Sequence, residues 1–271
     1  MLRILIIVRI LWPGGVQRLA IAEAEGLREL GNQVDLVFIR DTGRSMYSAK
    51  INYKIIYDKR SSNRLAGRVL RAITLKFSPQ RGSDATVDVD LLFKYAASVK
   101  GRYDIVYCFD EFVGLFCWLL KNRLGARAVL MIHEAADKRL SLVGLIQAIS
   151  TMSADAVVTN SVLNLRILKG RGIRDVYEIF PGLTLKEDPP KFGERDDVVL
   201  SVTLWDYGRH PEVFIEAAKG LVKGKIVLAG SWADPQYMED FKRRINDLKL
   251  NDRLLVTGPV TDDELDHYYR R

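Results

Sequence analysis

The sequence predicts an α/β protein built from two doubly wound parallel sheets, and three observations lead there. Its short β-branched runs are continuously apolar rather than alternating, the pattern of strands buried on both faces. Segments of helical period separate these runs along the whole chain, so each strand is followed by a crossover. One stretch rich in proline, glycine and charge, GLTLKEDPPKFGERDD from Gly182 to Asp197, breaks the rhythm, which then restarts.

In chain order the predicted strands are Leu2–Val8, Gln33–Ile39, Tyr53–Tyr57, Asp104–Phe109, Ala128–Ile132, Ala156–Thr159 and Val176–Phe180. Helices are expected at 16–30, 63–77, 87–100, 112–124, 139–152 and 161–170. After the break come strand Val198–Val202, helix Pro211–Val222, strand Lys225–Ala229, helix Asp234–Leu248, strand Leu254–Thr257 and helix Asp262–Arg270. The expected organisation is a first domain over 1–182, a linker over 183–197 and a second domain over 198–271 whose sheet is incomplete.

Charge is distributed unevenly. The formal net charge is +7, and residues 51–100 carry ten Lys/Arg against four Asp/Glu. The surplus concentrates in 54–76, with Lys54, Lys59, Arg60, Arg64, Arg68, Arg71 and Lys76. Two readings stand: a helix covering the sheet with a cationic outer face, or a basic amphipathic surface resting peripherally on anionic lipid. The two cysteines, Cys108 and Cys117, lie in apolar stretches without metal-ligand spacing, so two buried thiols are expected and no metal site. The opening apolar run is bracketed by Arg3 and Arg9 and is too short for a signal segment or a bilayer span, which leads to the expectation of a cytoplasmic protein. No G-x-G-x-x-G follows the first strand, and Walker, nucleophile-elbow and zinc patterns are missing as well. Nucleic acid is not an expected partner, because no aromatic-basic platform accompanies the charge.

Three strand-to-helix junctions carry candidate chemistry. Gly14 and Gly15 stand between the first strand and its helix, where a ligand can approach the backbone and amides favour anions. The alternative there is a tight turn needing glycine dihedrals. His133 and Glu134 follow the strand Ala128–Ile132 directly, either to meet a sugar hydroxyl or to cap the next helix. Trp205-Asp206-Tyr207-Gly208-Arg209-His210-Pro211 brings Gly208 and the fixed charge of Arg209 to a helix start, a combination suited to a diphosphate.

In this order the segments resemble glycosyltransferase family 4, over essentially the whole chain. Pro13-Gly14-Gly15-Val16-Gln17 is similar to the family opening, with Gln17 where a glutamate is common. Tyr103–Tyr107, Val129–Glu134, Ala154–Ser161 and Ile179–Gly182 follow the family's first domain, and Val199–Val202, Lys225–Gly230, Asp252–Gly258 and Asp262–Leu265 its second. The resemblance implies a GT-B fold of two Rossmann-like domains. It also implies a retaining, hexosyltransferase-like enzyme using a UDP- or GDP-sugar and a glycan or lipid-linked acceptor, with no further cofactor. His133 would contact the sugar, while Gly14, Gly15, Glu134, Gly208 and Arg209 would serve donor binding. Leu204 occupies the slot of a family arginine, and Arg209 that of a lysine. The family's glutamate pair lies beyond the tyrosine-bearing helix in which the sequence stops, so a truncated chain of low competence is expected. A GT-B-like binding module without catalysis is the alternative.

Overall fold

The computed structural model describes residues 1–12, 14–43, 50–57, 84–133, 136, 142–182 and 190–270. The predicted helix at 63–77, most of the basic segment, Pro13 and Glu134 lie outside the described residues. The chain divides into two compact units, Met1–Leu183 and Thr184–Arg271.

Unit 1 contains β1 (Arg3–Leu11), α1 (Gly15–Glu29), β2 (Gln33–Asp41), β3 (Tyr53–Tyr57), α2 (Asp84–Ser98), β4 (Ile105–Cys108), α3 (Glu111–Gly114), α4 (Cys117–Leu124), β5 (Arg127–Ile132), α5 (Leu142–Ser153), β6 (Ala156–Thr159), α6 (Val162–Gly170) and β7 (Val176–Glu178). Its seven strands pair in the order β3-β2-β1-β4-β5-β6-β7, and every described pairing is parallel. Side chains alternate across the sheet. Ile4, Ile6 and Val8 of β1 pack with Ala20, Ile21 and Ala24 of α1 on one face. Leu5 and Ile7 face the other way, toward Leu91 and Leu92 of α2, Leu120 of α4 and Leu168 of α6. Burial on both faces explains the continuously apolar strands.

Three expectations need correction. The first is the helix expected over 112–124, which divides into α3 and α4. Asp110 caps α3 by accepting from the Val113 amide at 2.9 Å. Gly114 lies so close to α5 and β5 that a Cβ would stand 2.6 Å from Leu130 and 2.7 Å from Ser150. Second, the last strand of unit 1 stops at Glu178, because its partner β6 ends at Thr159, and Ile179 and Phe180 are left exposed. Third, β1 runs on to Leu11, paired through Ile10↔Arg40 and Leu11↔Asp41, so Arg9 lies inside the strand. Cys108 and Cys117 are both buried free thiols, and burial pushes the Cys108 thiol well above its ordinary pKa.

Unit 2 contains β8 (Val198–Val202), α7 (Glu212–Lys219), β9 (Lys225–Ala229), α8 (Pro235–Asp247), β10 (Leu254–Gly258) and α9 (Asp262–Arg270). Its parallel sheet has three strands in the order β10-β9-β8. Helices α7 and α8 bury Ile215, Phe241 and Ile245 with Ile226, Leu228 and Leu254. Asp234 caps α8, accepting from Gln236 N at 2.9 Å, and Pro235 fills the first helical position.

Gly230 ends β9 with φ +125°, and a Cβ there would lie 2.0 Å from the Thr203 carbonyl oxygen. Gly230→Ala is therefore expected to destabilise unit 2 by about 3 kcal/mol or more, from dihedral strain together with the clash. Gly15→Ala serves as the control, since no atom stands within 4 Å of its Cβ position. Urea denaturation of both variants measures the difference.

Candidate functional site

The strand order of unit 1 reverses between β1 and β4, so their connections leave toward opposite faces, and in open α/β sheets ligands bind at the carboxyl edge of such a switch point. Gly14 and Gly15 stand there after β1, Asp110 after β4 and His133 after β5.

Neither glycine has a positive φ, so unusual dihedrals do not account for the pair. Gly14 is extended, with φ −148° and ψ 167°, and no side chain caps α1. A Cβ on Gly14 would meet Gln17 Oε1 at 2.9 Å, whereas the Cβ position of Gly15 faces open space. Gln17 is buried, and its Nε2 donates to the Ile10 carbonyl at 3.0 Å. It ties the end of β1 to the first turn of α1 and holds the glycines at the edge.

His133 is half-buried with its Nε2 shielded from solvent, and its ring lies 5.2 Å from that of Phe109, centroid to centroid. Ala136, three residues on, is held from α6 and the residue after it. Asn164 Oδ1, itself buried, accepts from the Ala136 amide at 2.9 Å, and Arg171 Nη2 donates to the Ala136 carbonyl.

A charged group at the same edge escaped the sequence reading. Asp88 of α2, wholly buried, accepts from Arg40 Nε at 2.5 Å and lies 3.7 Å from Arg9 Nη1. Arg9 also donates from Nε to Asp110 at 3.2 Å, and its guanidinium lies 4.8 Å from the centre of the Phe112 ring. The available signal was the position of Arg9 and Arg40 directly after the apolar runs Ile4–Val8 and Leu36–Ile39.

In unit 2 the comparable edge is built on aromatic rings. Trp205 is almost fully buried, donates from Nε1 to the Ala229 carbonyl at 3.1 Å and forms a parallel bridge with Trp232. It anchors the turn Tyr207–Arg209, where Tyr207 stacks on Tyr237 with centroids 4.0 Å apart. The Tyr237 hydroxyl donates to Glu212, and burial, followed by that contact, raises its pKa far above the ordinary value. Gly208 and Arg209 are both exposed, and the Arg209 guanidinium has no hydrogen bond or ion pair among the described residues. His210 has φ 50°, the left-handed region. Leu204 is half-buried beside this turn. Among the described residues no group of three or more His, Cys, Asp or Glu is placed to hold a metal ion.

A groove of about 770 Å³ opens at the opposite, amino edge of unit 1, lined by Arg3, Arg102, Tyr103, Asp104 and Arg123. Its polar groups serve one another. The Tyr103 hydroxyl donates to Asp35 at 2.8 Å, and burial, reinforced by that bond, pushes its pKa up to about 12. Arg3 faces Asp35 at 3.6 Å.

Two α/β units with parallel sheets match the GT-B fold. The Glycosyltransferase Family 4 profile matches residues 13–186, and the chain belongs to that family. No curated protein sequence matches significantly. Among solved structures the chain is similar to Anabaena HepE in complex with UDP-glucose, at 15% identity and a TM-score of 0.64, covering 97% of this chain and 70% of that one. It is similar to sucrose-phosphate synthase from Thermosynechococcus elongatus, at 18% identity and 0.63, covering 98% and 73%. It is also similar to an α-glucosyltransferase in complex with UDP and a 13-mer DNA, at 15% and 0.57, covering 97% and 69%.

Removing one member of a buried ion pair leaves the other charge without compensation. Asp88→Ala is expected to cost about 3–5 kcal/mol of unit 1 stability, measured by urea denaturation. Arg209→Ala, at an exposed site, is expected to leave stability within about 0.5 kcal/mol.

Proposed function

We propose that this chain moves a sugar from a nucleotide-diphosphate donor to an acceptor hydroxyl, with retention at the anomeric carbon. The observation that carries this reading is Arg209, an exposed guanidinium without an acidic partner among the described residues, held on a short turn beside the start of α7. As the sugar leaves, negative charge develops on the diphosphate, and a fixed cation placed beforehand stabilises that charge more than it stabilises the bound donor. The turn is rigid because Trp205 is buried beneath it and Tyr207 stacks on Tyr237. Gly208 stands beside Arg209 in the turn, and its Cβ position lies 3.3 Å from Asp206 Oδ1.

Family membership supports the transferase reading, and the UDP and UDP-glucose held by similar structures support a UDP-sugar over a GDP-sugar. In unit 1 the edge at Gly14 and Gly15, with open space over Gly15, suits a ligand that packs against the backbone. His133 is assigned to the transferred sugar as a hydrogen-bonding residue, and unit 1 to the acceptor. A glycan or lipid-linked acceptor fits the basic surplus of this half of the chain. Leu204 in place of a second cation favours weaker donor binding, and in the extreme a nucleotide-binding module without turnover.

Calorimetric titration with UDP and GDP tests the donor site. UDP is expected to bind saturably, and Arg209→Ala to weaken it roughly tenfold or more through loss of charge-assisted hydrogen bonds. Binding unchanged by Arg209→Ala would remove the diphosphate from this turn. His133→Ala is expected to lower sugar transfer while leaving UDP affinity unaltered, with the anomeric configuration of the product read by NMR. Nucleotide binding without transfer to any acceptor would favour the binding module.

A further inference from the structure

Helix α5 exposes an apolar stripe while burying polar groups. Its inward side carries Gln147, Ser150 and Thr151 beside Ile146, all buried. Gln147 Nε2 donates to Glu111 Oε1 at 3.3 Å, Ser150 Oγ to the Glu111 carbonyl at 2.7 Å and Thr151 Oγ1 to the Ala148 carbonyl at 2.9 Å. Its outward side carries Leu145, Ala148, Ile149 and Met152, spaced i, i+3, i+4, i+7 along a single stripe. Met152 is 82% exposed, Leu145 57% and Ile149 44%. The helix has no charged residue. These apolar side chains do not serve the core, and placing them in water gains the fold nothing.

The stripe is part of a wider surface. Helices α3 and α4 pack against α5, and α4 adds Trp118 at 63% exposure. On the same face of the sheet, α2 adds exposed Phe93 and α6 exposed Leu163. The exposed charges on these helices are cationic: Lys94, Arg123, Arg166 and Lys169. Among the described side chains of α2, α4, α5 and α6 the only acids are Asp88, buried beneath Arg40, and Asp90, half-buried.

We propose that this outer face of unit 1 docks on an anionic lipid surface, with Leu145, Ile149, Met152 and Trp118 entering the headgroup boundary and Arg123, Arg166 and Lys169 meeting lipid phosphates. The charge pattern selects this occupant. On these helices the described side chains combine exposed apolar groups with exposed cations, and the exposed Asp155 that follows α5 is held by Lys121 of α4 at 2.8 Å, a pattern that suits a negative bilayer. A second copy would bring the same cations together, which opposes self-association through this face. The proposal is independent of the transferase reading, and it rests on residues other than the basic segment 54–76.

Co-sedimentation of the full chain with vesicles tests it, using phosphatidylcholine alone and phosphatidylcholine mixed with phosphatidylglycerol. Binding is expected only to the mixed vesicles. The triple variant Leu145→Gln, Ile149→Gln, Met152→Gln is expected to lose roughly tenfold or more of it, and Arg123→Gln, Arg166→Gln, Lys169→Gln a similar factor at low salt. All six positions are exposed, and thermal unfolding followed by circular dichroism confirms that the variants fold. Wild-type binding that survives the apolar triple, or no binding to either vesicle, overturns the proposal. So does a concentration-dependent dimer in sedimentation velocity that the apolar triple abolishes, because the face then belongs to a second copy.

Discussion

Strand β1 pairs with β2 on one side and β4 on the other, and this double pairing governs unit 1. Parallel neighbours cannot be joined by a hairpin, so each step along the sheet requires a crossover that covers a face. The chain leaves β1 through α1 on one face and returns through α2 on the other. The reversal sends the helices that follow β1 and β4 to opposite faces of the sheet. Gly14, Gly15, Arg9 and Asp110 stand at this edge because the strand order puts them there. Gln17 and the Arg9–Asp88–Arg40 group then hold it, one through a hydrogen bond to the backbone and the other through buried charge.

Unit 2 reaches a similar result by other means. Its sheet has three strands, and the edge that carries Arg209 is stiffened by aromatic rings rather than by ion pairs. Trp205 and Trp232 extend the pairing of β8 and β9 past their ends, and Gly230 lets the two connections approach to backbone contact. The backbone of such a turn is already ordered, so a ligand meeting its charged side chain has only side-chain freedom to immobilise. The outward apolar stripe of α5 belongs to another kind of design. Gln147 and Ser150 bond to Glu111 and Thr151 to its own helix, so the helix keeps its place while burying Ile146 and leaving Leu145, Ile149 and Met152 exposed.

Most of the strand pattern was legible because burial on both faces leaves little freedom of composition. Tyr53–Tyr57, Ala156–Thr159, Val198–Val202 and Lys225–Ala229 were bounded correctly from sequence. The split of α3 from α4 was not legible. It depends on Leu130 and Ser150 pressing on Gly114 from segments distant in sequence. The same holds for the site. Gly14, Gly15, His133, Gly208 and Arg209 were singled out because they occur where strands meet helices, and such junctions are local features. Arg9, Arg40 and Asp88 were overlooked because an ion pair spanning 48 residues, as between Arg40 and Asp88, leaves no local periodicity.

By itself the sequence determined the order of the described strands and the family to which the chain belongs, because both are written in short-range periodicity and segment order. The tertiary structure decided which side of each helix faces water, which charges are buried and which glycines are sterically required. Each of these is set by atoms brought together from separate segments, so it exists only once the sheet has formed.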